Sequence, residues 1–145
     1  MTEQEIQSLF QKVTDLRAEV LAKRADLAEQ KETRMALKAI DYERPKVTGG
    51  SHTDIAQALD RMYDALEEVI QELAAFEVRY QELLAQVRAL IKLCPDPTQR
   101  AVLEYRYLVG LTPGQIAAIM HFSGVWVWEL ERRGIQEILK RVNDS

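Results

Sequence analysis

Cysteine, proline, glycine and long apolar runs are all scarce in this sequence of 145 residues, which has one Cys, four Pro and six Gly. The single Cys94 cannot form a disulfide within the chain, and this fits a reducing cytoplasm. Because no run of about 18 apolar residues and no charged-then-apolar leader occurs, the sequence predicts neither a membrane span nor export. We therefore expect a soluble, cytoplasmic protein.

An excess of positive charge is also missing. The formal net charge is −4, with Lys+Arg 19 against Asp+Glu 23. The acidity lies in residues 1–94, which hold 13 basic and 17 acidic side chains, whereas residues 95–145 hold six of each. Nucleic-acid domains are usually basic, so the composition alone does not indicate one.

Residue sets typical of enzymes are not visible. The sequence offers no Ser/His/Asp or Cys/His arrangement, no glycine-rich phosphate loop and no paired-carboxylate pocket, and His52 and His121 have no neighbours at metal-ligand spacing. The many carboxylates of residues 1–94 fit the solvated faces of long helices. We therefore predict no enzymatic activity, no cofactor and no metal site.

Most of the Gly and Pro residues fall in three short stretches, 45–50, 95–97 and 110–114. Because helix-breaking residues are so few, the sequence favours long helices. The sequence predicts an all-α fold, with a long antiparallel helical hairpin that forms a coiled coil over 1–94. A three-helix domain containing a helix-turn-helix is predicted over 95–145.

Residues 55–90 carry the strongest pattern in the chain. Their apolar side chains recur in steps of four and three without interruption, which is typical of a coiled-coil helix with a left-handed supercoil. This heptad stripe consists of Ile55, Leu59, Met62, Leu66, Val69, Leu73, Phe76, Tyr80, Leu83, Val87 and Leu90. We expect its part from Leu59 to Leu83 to form an interface with a second copy or a partner protein.

Residues 2–41 repeat the pattern more weakly. Between the two predicted helices, about 2–41 and 54–93, the stretch 43–52 contains Pro45 and Gly49-Gly50 and predicts a loop. Two helices of matched length favour an antiparallel hairpin, and because two helices alone bury little, we expect a homodimer or a complex. The weaker stripe contains Ile6, Leu9, Val13, Leu16, Val20, Leu27 and Leu37, interrupted by Lys23, Gln30 and Arg34.

Capping residues divide 95–145 into three short helices. Asp96, Thr112 and Ser123 each precede a helical pattern, and Pro follows the first two of them directly, at the position where helices favour it. Gly110 is suited to end the first helix in a left-handed conformation. The predicted helices cover about 98–109, 113–120 and 124–142.

The second and third of these helices have the features of a helix-turn-helix. A turn of three residues lets the last helix cross the one before it steeply and enter a major groove. Ala117 is small enough for the crossing, and His121 stands where the turn needs a positive φ. The apolar residues expected to fill the joint are Ile116, Met120, Phe122, Val127 and Leu130.

The segment from Arg100 to Ile135 resembles region 4 of sigma-70 factors. Its distinctive part, from Arg100 to Ala117, has the pattern Arg-x-x-Leu-x-x-Arg-Tyr-x-x-Gly-Leu-Thr-x-x-x-Ile-Ala. The order of a coiled-coil region followed by this domain is similar to that of small phage and prophage proteins, and late transcriptional activators of the RinA and ArpU types have a similar C-terminal part. The resemblance implies promoter DNA and RNA polymerase as partners, in the cytoplasm of a bacterial host.

The outward face of the last predicted helix differs from the family pattern. Where the family offers Arg, Glu, Arg and Gln, this chain has Gly124, Val125, Trp128 and Glu129. Glu129 suits a cytosine amino group and Val125 a thymine methyl, while the basic residues further along suit phosphates. The predicted DNA-binding residues are Val125, Trp128, Glu129, Arg132, Arg133, Gln136 and Lys140.

These patterns favour a phage-type transcriptional regulator that binds double-stranded DNA, weakly, and dimerises or holds a partner through the coiled coil. One alternative is a protein-interaction factor whose helix-turn-helix no longer binds DNA, for example one that targets RNA polymerase or a host protein. A second alternative is a DNA-packaging adaptor similar to small terminase subunits. The first hypothesis predicts salt-sensitive DNA binding and the second predicts none. The measured mass of the assembly distinguishes the third hypothesis from the other two.

Overall fold

The computed structural model describes residues 1–43 and 50–144, with side chains from residue 54 onwards in the second range. These ranges contain five helices and no strand, which confirms the predicted all-α class. The helices are α1 (Glu3–Glu43), α2 (Gly50–Lys92), α3 (Pro97–Leu103), α4 (Pro113–Met120) and α5 (Gly124–Asn143). A π-helical segment, Glu104–Val109, continues α3.

The helix bounds agree with the predicted ones to within a few residues. The main difference concerns the predicted loop over 43–52, of which residues 44–49 lie outside the described residues. The prediction is wrong at its far end, since α2 already begins at Gly50. Gly and Ser are both common where a helix starts, so these residue types alone could not fix the boundary.

The chain divides into two compact units. Unit 1 consists of Met1–Ala18 with Arg79–Ser145, and unit 2 consists of Glu19–Val78. These bounds differ from the predicted division at residue 94, because the first turns of α1 and the last turns of α2 group with the C-terminal helices.

Within unit 2, the two helical segments run antiparallel. The ammonium of Lys23 lies 3.3 Å from the Glu72 carboxylate, and the guanidinium of Arg34 lies 5.2 Å from the ring of Tyr63. Residues further along α1 therefore contact residues nearer the start of α2. The apolar stripe of α1 is interrupted by polar residues, and aromatic rings of α2 cover two of them: Lys23 lies 4.7 Å from the Phe76 ring, and Arg34 lies over Tyr63.

The predicted heptad stripe faces inward in the single chain. Leu66 and Leu73 in unit 2, and Tyr80 in unit 1, are buried. The other stripe residues proposed as an interface are half-buried: Leu59, Met62, Val69, Phe76 and Leu83. That they contact a second copy stays a prediction.

Unit 1 buries apolar side chains from all five helices. On α1 it buries Ile6, Phe10 and Val13, whereas the predicted stripe residues Leu9 and Leu16 are only half-buried. Phe10 packs against Tyr107 of the π-helical segment, with ring centroids 4.5 Å apart. From α2, α3 and α5 the buried core residues include Val87, Ile91, Val102, Leu103, Ile135 and Ile138.

The π-helical segment ends at Gly110, whose left-handed conformation (φ 91°) was expected. The amides of Gly110 and Leu111 both donate to the carbonyl of Tyr105, which widens the last turn. Arg17 of α1 donates to the Leu108 carbonyl at 3.1 Å, and a Cβ at residue 110 would lie 2.1 Å from its guanidinium. A contact from a distant helix thus stabilises this turn, which the local sequence did not indicate.

No helix in the described part of the chain combines the length and the apolar character needed to span a bilayer.

Candidate nucleic-acid interface

The α4–α5 pair is built on the predicted caps. The Thr112 hydroxyl accepts from the backbone amide of Gln115, and the Gln115 side chain accepts from the backbone amide of Thr112. The two bonds together form a capping box. Ser123 caps α5 by accepting from the Trp126 amide. His121 adopts the left-handed conformation (φ 58°) that the turn needs. Local hydrogen bonds therefore set where α4 and α5 begin, and the conformation of His121 sets the turn between them.

The joint between these helices is apolar, as predicted. Ile116 of α4 and Val127 and Leu130 of α5 are buried in one cluster with Val102 of α3. The partly buried side chains that pack against this cluster are Tyr105, Leu111, Ala117, Met120 and Phe122. The cluster buries one face of α5, and the rest of the helix surface can contact other helices or solvent.

Gly134 allows α5 to approach α3 closely. It is buried, and a Cβ at this position would lie 2.8 Å from Cδ1 of Leu103. Side chains essentially never pack at that distance, so a side chain at residue 134 would force Leu103 to shift.

The start of α1 covers a second side of α5. Gln136, predicted to contact DNA, is half-buried and donates to the Glu3 carboxylate at 3.2 Å. The structure therefore turns Gln136 towards α1 and away from the open face. A groove of about 270 Å³ lies nearby, lined by Gln7 and Gln11 of α1, by Tyr107, and by Trp128, Glu131, Arg132 and Ile135.

Two apolar side chains at the start of α5 project into solvent. Val125 is 79% exposed and Trp128 is 61% exposed. Gly124, which precedes them, has no heavy atom within 4 Å of a Cβ built on it. The first turn of α5 is therefore open, and it presents apolar surface where the sigma-like pattern has charged and polar residues.

Glu129 binds both arginines of the predicted phosphate-contacting set. Its carboxylate lies 2.7 Å from the Arg132 guanidinium and 3.0 Å from that of Arg133. Hydrogen bonds from Arg132 and then Arg133 lower the pKa of Glu129 to about 2. The three side chains together carry one net positive charge, so the local field is weaker than two free arginines would give.

The remaining basic residues lie further along α5. Lys140 is exposed and lies 3.4 Å from the Glu137 carboxylate. Arg141 is exposed in the last turn, where positive charge suits the helix dipole. Arg133 also stacks on Trp126, with its guanidinium 5.1 Å from the ring. The structure thus brings Arg132 and Arg133 together at Glu129 and leaves Lys140 about two turns away.

A partly buried polar cluster behind this face was not predicted from the sequence. The hydroxyl of Tyr107 donates to the Glu131 carboxylate, and the guanidinium of Arg106 lies 3.5 Å from the same carboxylate. Burial, and then the bond to Glu131, raise the pKa of Tyr107. The Arg106-Tyr107 pair had been visible as part of the sigma-like pattern, but its partner Glu131 lies on another helix.

Across the described residues, no three His, Cys, Asp or Glu side chains converge as metal ligands would. No protein-family model, curated protein or solved structure shows a significant match to this chain.

Proposed function

We propose that the protein is a phage-type transcriptional regulator that binds duplex DNA through α4 and α5, which form a sigma-70 region 4-like helix-turn-helix. The observation that carries the proposal is the open face of α5. Two sides of this helix are held by α3 and α1, and the third presents Val125, Trp128 and Arg132 to solvent. A helix that follows a short turn and is free on one side suits the major groove.

Phosphate contacts supply most of the affinity in this proposal. Arg132, Arg133 and Lys140 are exposed along one helix, and phosphate oxygens can replace the carboxylates that these cations now contact. Since Glu129 already offsets one charge, we expect weak, strongly salt-dependent binding of the single chain.

Charge reversal of the two arginines tests this proposal. We expect the double variant Arg132→Glu/Arg133→Glu to lose binding to a fluorescent duplex at low salt. The matched control is Arg61→Glu/Arg88→Glu, which changes the net charge equally through two exposed arginines of α2. Loss in the α5 variant alone supports the proposal, whereas equal loss in both would show only an effect of net charge.

The exposed Val125 and Trp128 favour a second candidate, a factor that binds RNA polymerase through the start of α5 and does not bind DNA. Exposed aromatic side chains are typical anchors of protein interfaces. This candidate requires direct binding of the purified protein to purified bacterial RNA polymerase, with loss of binding in Trp128→Ala. It also requires no DNA binding at low salt.

A further inference from the structure

The exposed large apolar side chains of unit 2 lie mostly on one side of its helix pair. On α1, Met35 is 71% exposed and Tyr42 is 92% exposed. They belong to a row with a spacing of seven residues, which also contains Leu21 and Ala28. Residues seven apart lie on one line along a helix, so this apolar row forms a continuous strip.

A basic row runs beside the apolar row on α1. It consists of Arg24, Lys31 and Lys38, each three residues after a member of the apolar row, and all three are exposed. The ion pair of Arg24 with Glu77, at 2.8 Å, shows which part of α2 lies next to it.

The ion pair between Arg24 and Glu77 also locates the row of α2 residues that lies beside the basic row. Moving back along α2 in steps of seven from Glu77 leads to Ile70 and then to Tyr63, both exposed. Because the helices are antiparallel, Ile70 lies opposite Lys31 in this register and Tyr63 lies opposite Lys38. The apolar row, the basic row and this α2 row form one surface, which we call the unit 2 face.

Charges within the unit 2 face divide between the two helices. The two α1 rows contain Arg24, Lys31 and Lys38 and no carboxylate, whereas Glu77 is the charged residue of the α2 row. Asp60 and Glu67 are exposed on the far flank of the α2 row. Two copies that place α1 of each against α2 of the other would set the helix that carries the basic row against the helix that carries the acidic residues.

We propose that the unit 2 face binds the same face of a second copy, in a two-fold dimer with α1 of one chain against α2 of the other. A two-fold interface must be self-complementary, and a surface with a basic and an acidic side meets this condition. At about 150–250 Å² for an aromatic side chain, the exposed parts of Tyr42 and Tyr63, which are 92% and 53% exposed, present roughly 300 Å². The exposed Leu21, Met35 and Ile70 and the charged rows add to this area, of which a standard interface buries roughly 800 Å² per partner.

Single substitutions test where the interface lies. In sedimentation velocity and light scattering of the full chain, we expect the wild type to be a dimer at micromolar concentration. Met35→Glu and Ile70→Glu raise the dissociation constant at least about tenfold. The matched control is Val78→Glu, an exposed aliphatic residue of α2 outside the face, which shifts it by less than about twofold. A monomeric wild type, or equal effects of Ile70→Glu and Val78→Glu, overturns the proposal.

A charge exchange tests how the helices pair. Lys31→Glu/Lys38→Glu and Asp60→Lys/Glu67→Lys each place like charges across the interface, so each variant alone is monomeric. Mixed together, the two variants restore opposite charges on both sides and form a heterodimer. If Asp60→Lys/Glu67→Lys dimerises alone, α1 does not pair with α2, and a ring larger than a dimer contradicts the proposal as well. These outcomes are independent of DNA binding.

Discussion

Glu129 controls the charge that the open face of α5 offers to a polyanion. It accepts hydrogen bonds from Arg132 and Arg133 at once, so two cations share one carboxylate. We predict that Glu129→Gln raises the affinity for duplex DNA about three- to tenfold at low salt and steepens the salt dependence by about one unit of slope. Fluorescence anisotropy over a range of salt concentrations measures both quantities.

The control for this prediction is Glu104→Gln, which removes one carboxylate from the π-helical segment. Glu104 is exposed and lies 3.9 Å from Arg100, so it resembles Glu129 in charge but lies outside α5. An equal gain in affinity for both variants would contradict a local role of Glu129.

The same ion pairs make Glu129 a source of pH-dependent stability. Arg132 and then Arg133 lower its folded-state pKa to about 2, from the ordinary glutamate value of 4.5. Because the folded state binds this proton less readily, the contribution is complete above pH 4.5 and is lost as the pH falls towards 2. We predict that Glu129→Gln loses less unfolding free energy than the wild type over this interval. Urea denaturation at several pH values measures it, and identical profiles would contradict it.

Tyr107 links the π-helical segment to α5. Its hydroxyl donates to Glu131, and its ring packs on Phe10. Tyr107→Phe keeps the ring and removes the donor, so we predict a loss of about 1 kcal/mol in the free energy of unfolding. Chemical denaturation measures this loss, and an unchanged midpoint would show that Arg106 alone satisfies Glu131.

At the scale of elements, the crossing of α3 and α5 depends on a single glycine. Gly134→Ala places a Cβ against Leu103, which must shift, and we predict a loss of about 1–3 kcal/mol in the free energy of unfolding. Gly124→Ala is the matched control on the same helix, since its Cβ meets nothing within 4 Å. There the stability is unchanged or rises by less than about 1 kcal/mol. Equal losses in both variants would refute the close approach.

The starts of α3, α4 and α5 were predictable from the sequence because they depend on hydrogen bonds over three residues. Asp96, Thr112 and Ser123 each cap the helix that was expected to follow them. The π-helical end of α3 was not predictable, because it is stabilised by Arg17, which lies 91 residues away from the carbonyl it contacts. Local pattern therefore determined where helices begin, and tertiary contacts determined their irregular parts.

At the scale of the whole molecule, the C-terminal helices share a core with the start of α1. Phe10 is buried in that core, so Phe10→Ala should cost about 3–5 kcal/mol. Both tryptophans lie on α5, so their fluorescence reports the unfolding of this region. We predict a lower denaturation midpoint for Phe10→Ala and little change for Ile40→Ala, an exposed position in unit 2 outside the unit 2 face. An unchanged midpoint for Phe10→Ala would mean that α5 folds independently of α1.

The candidate site was predictable only in part, for a physical reason. The apolar pattern along α5 correctly indicated that Val127 and Leu130 face inward. A helical pattern cannot tell which neighbour covers the remaining surface, and Gln136 was assigned to the open face although it bonds to Glu3. The pairing of Glu129 with two arginines depends on rotamers, which the sequence does not specify.

Binding of the wild-type protein to a fluorescent duplex, titrated with salt, tests the proposed function most directly. Three or four phosphate contacts per chain predict a line of log affinity against log salt with a slope of about −3. Binding should be lost in Arg132→Glu/Arg133→Glu, and the slope should stay unchanged in Arg61→Glu/Arg88→Glu. No anisotropy change at the lowest salt would contradict the proposal that α5 binds DNA.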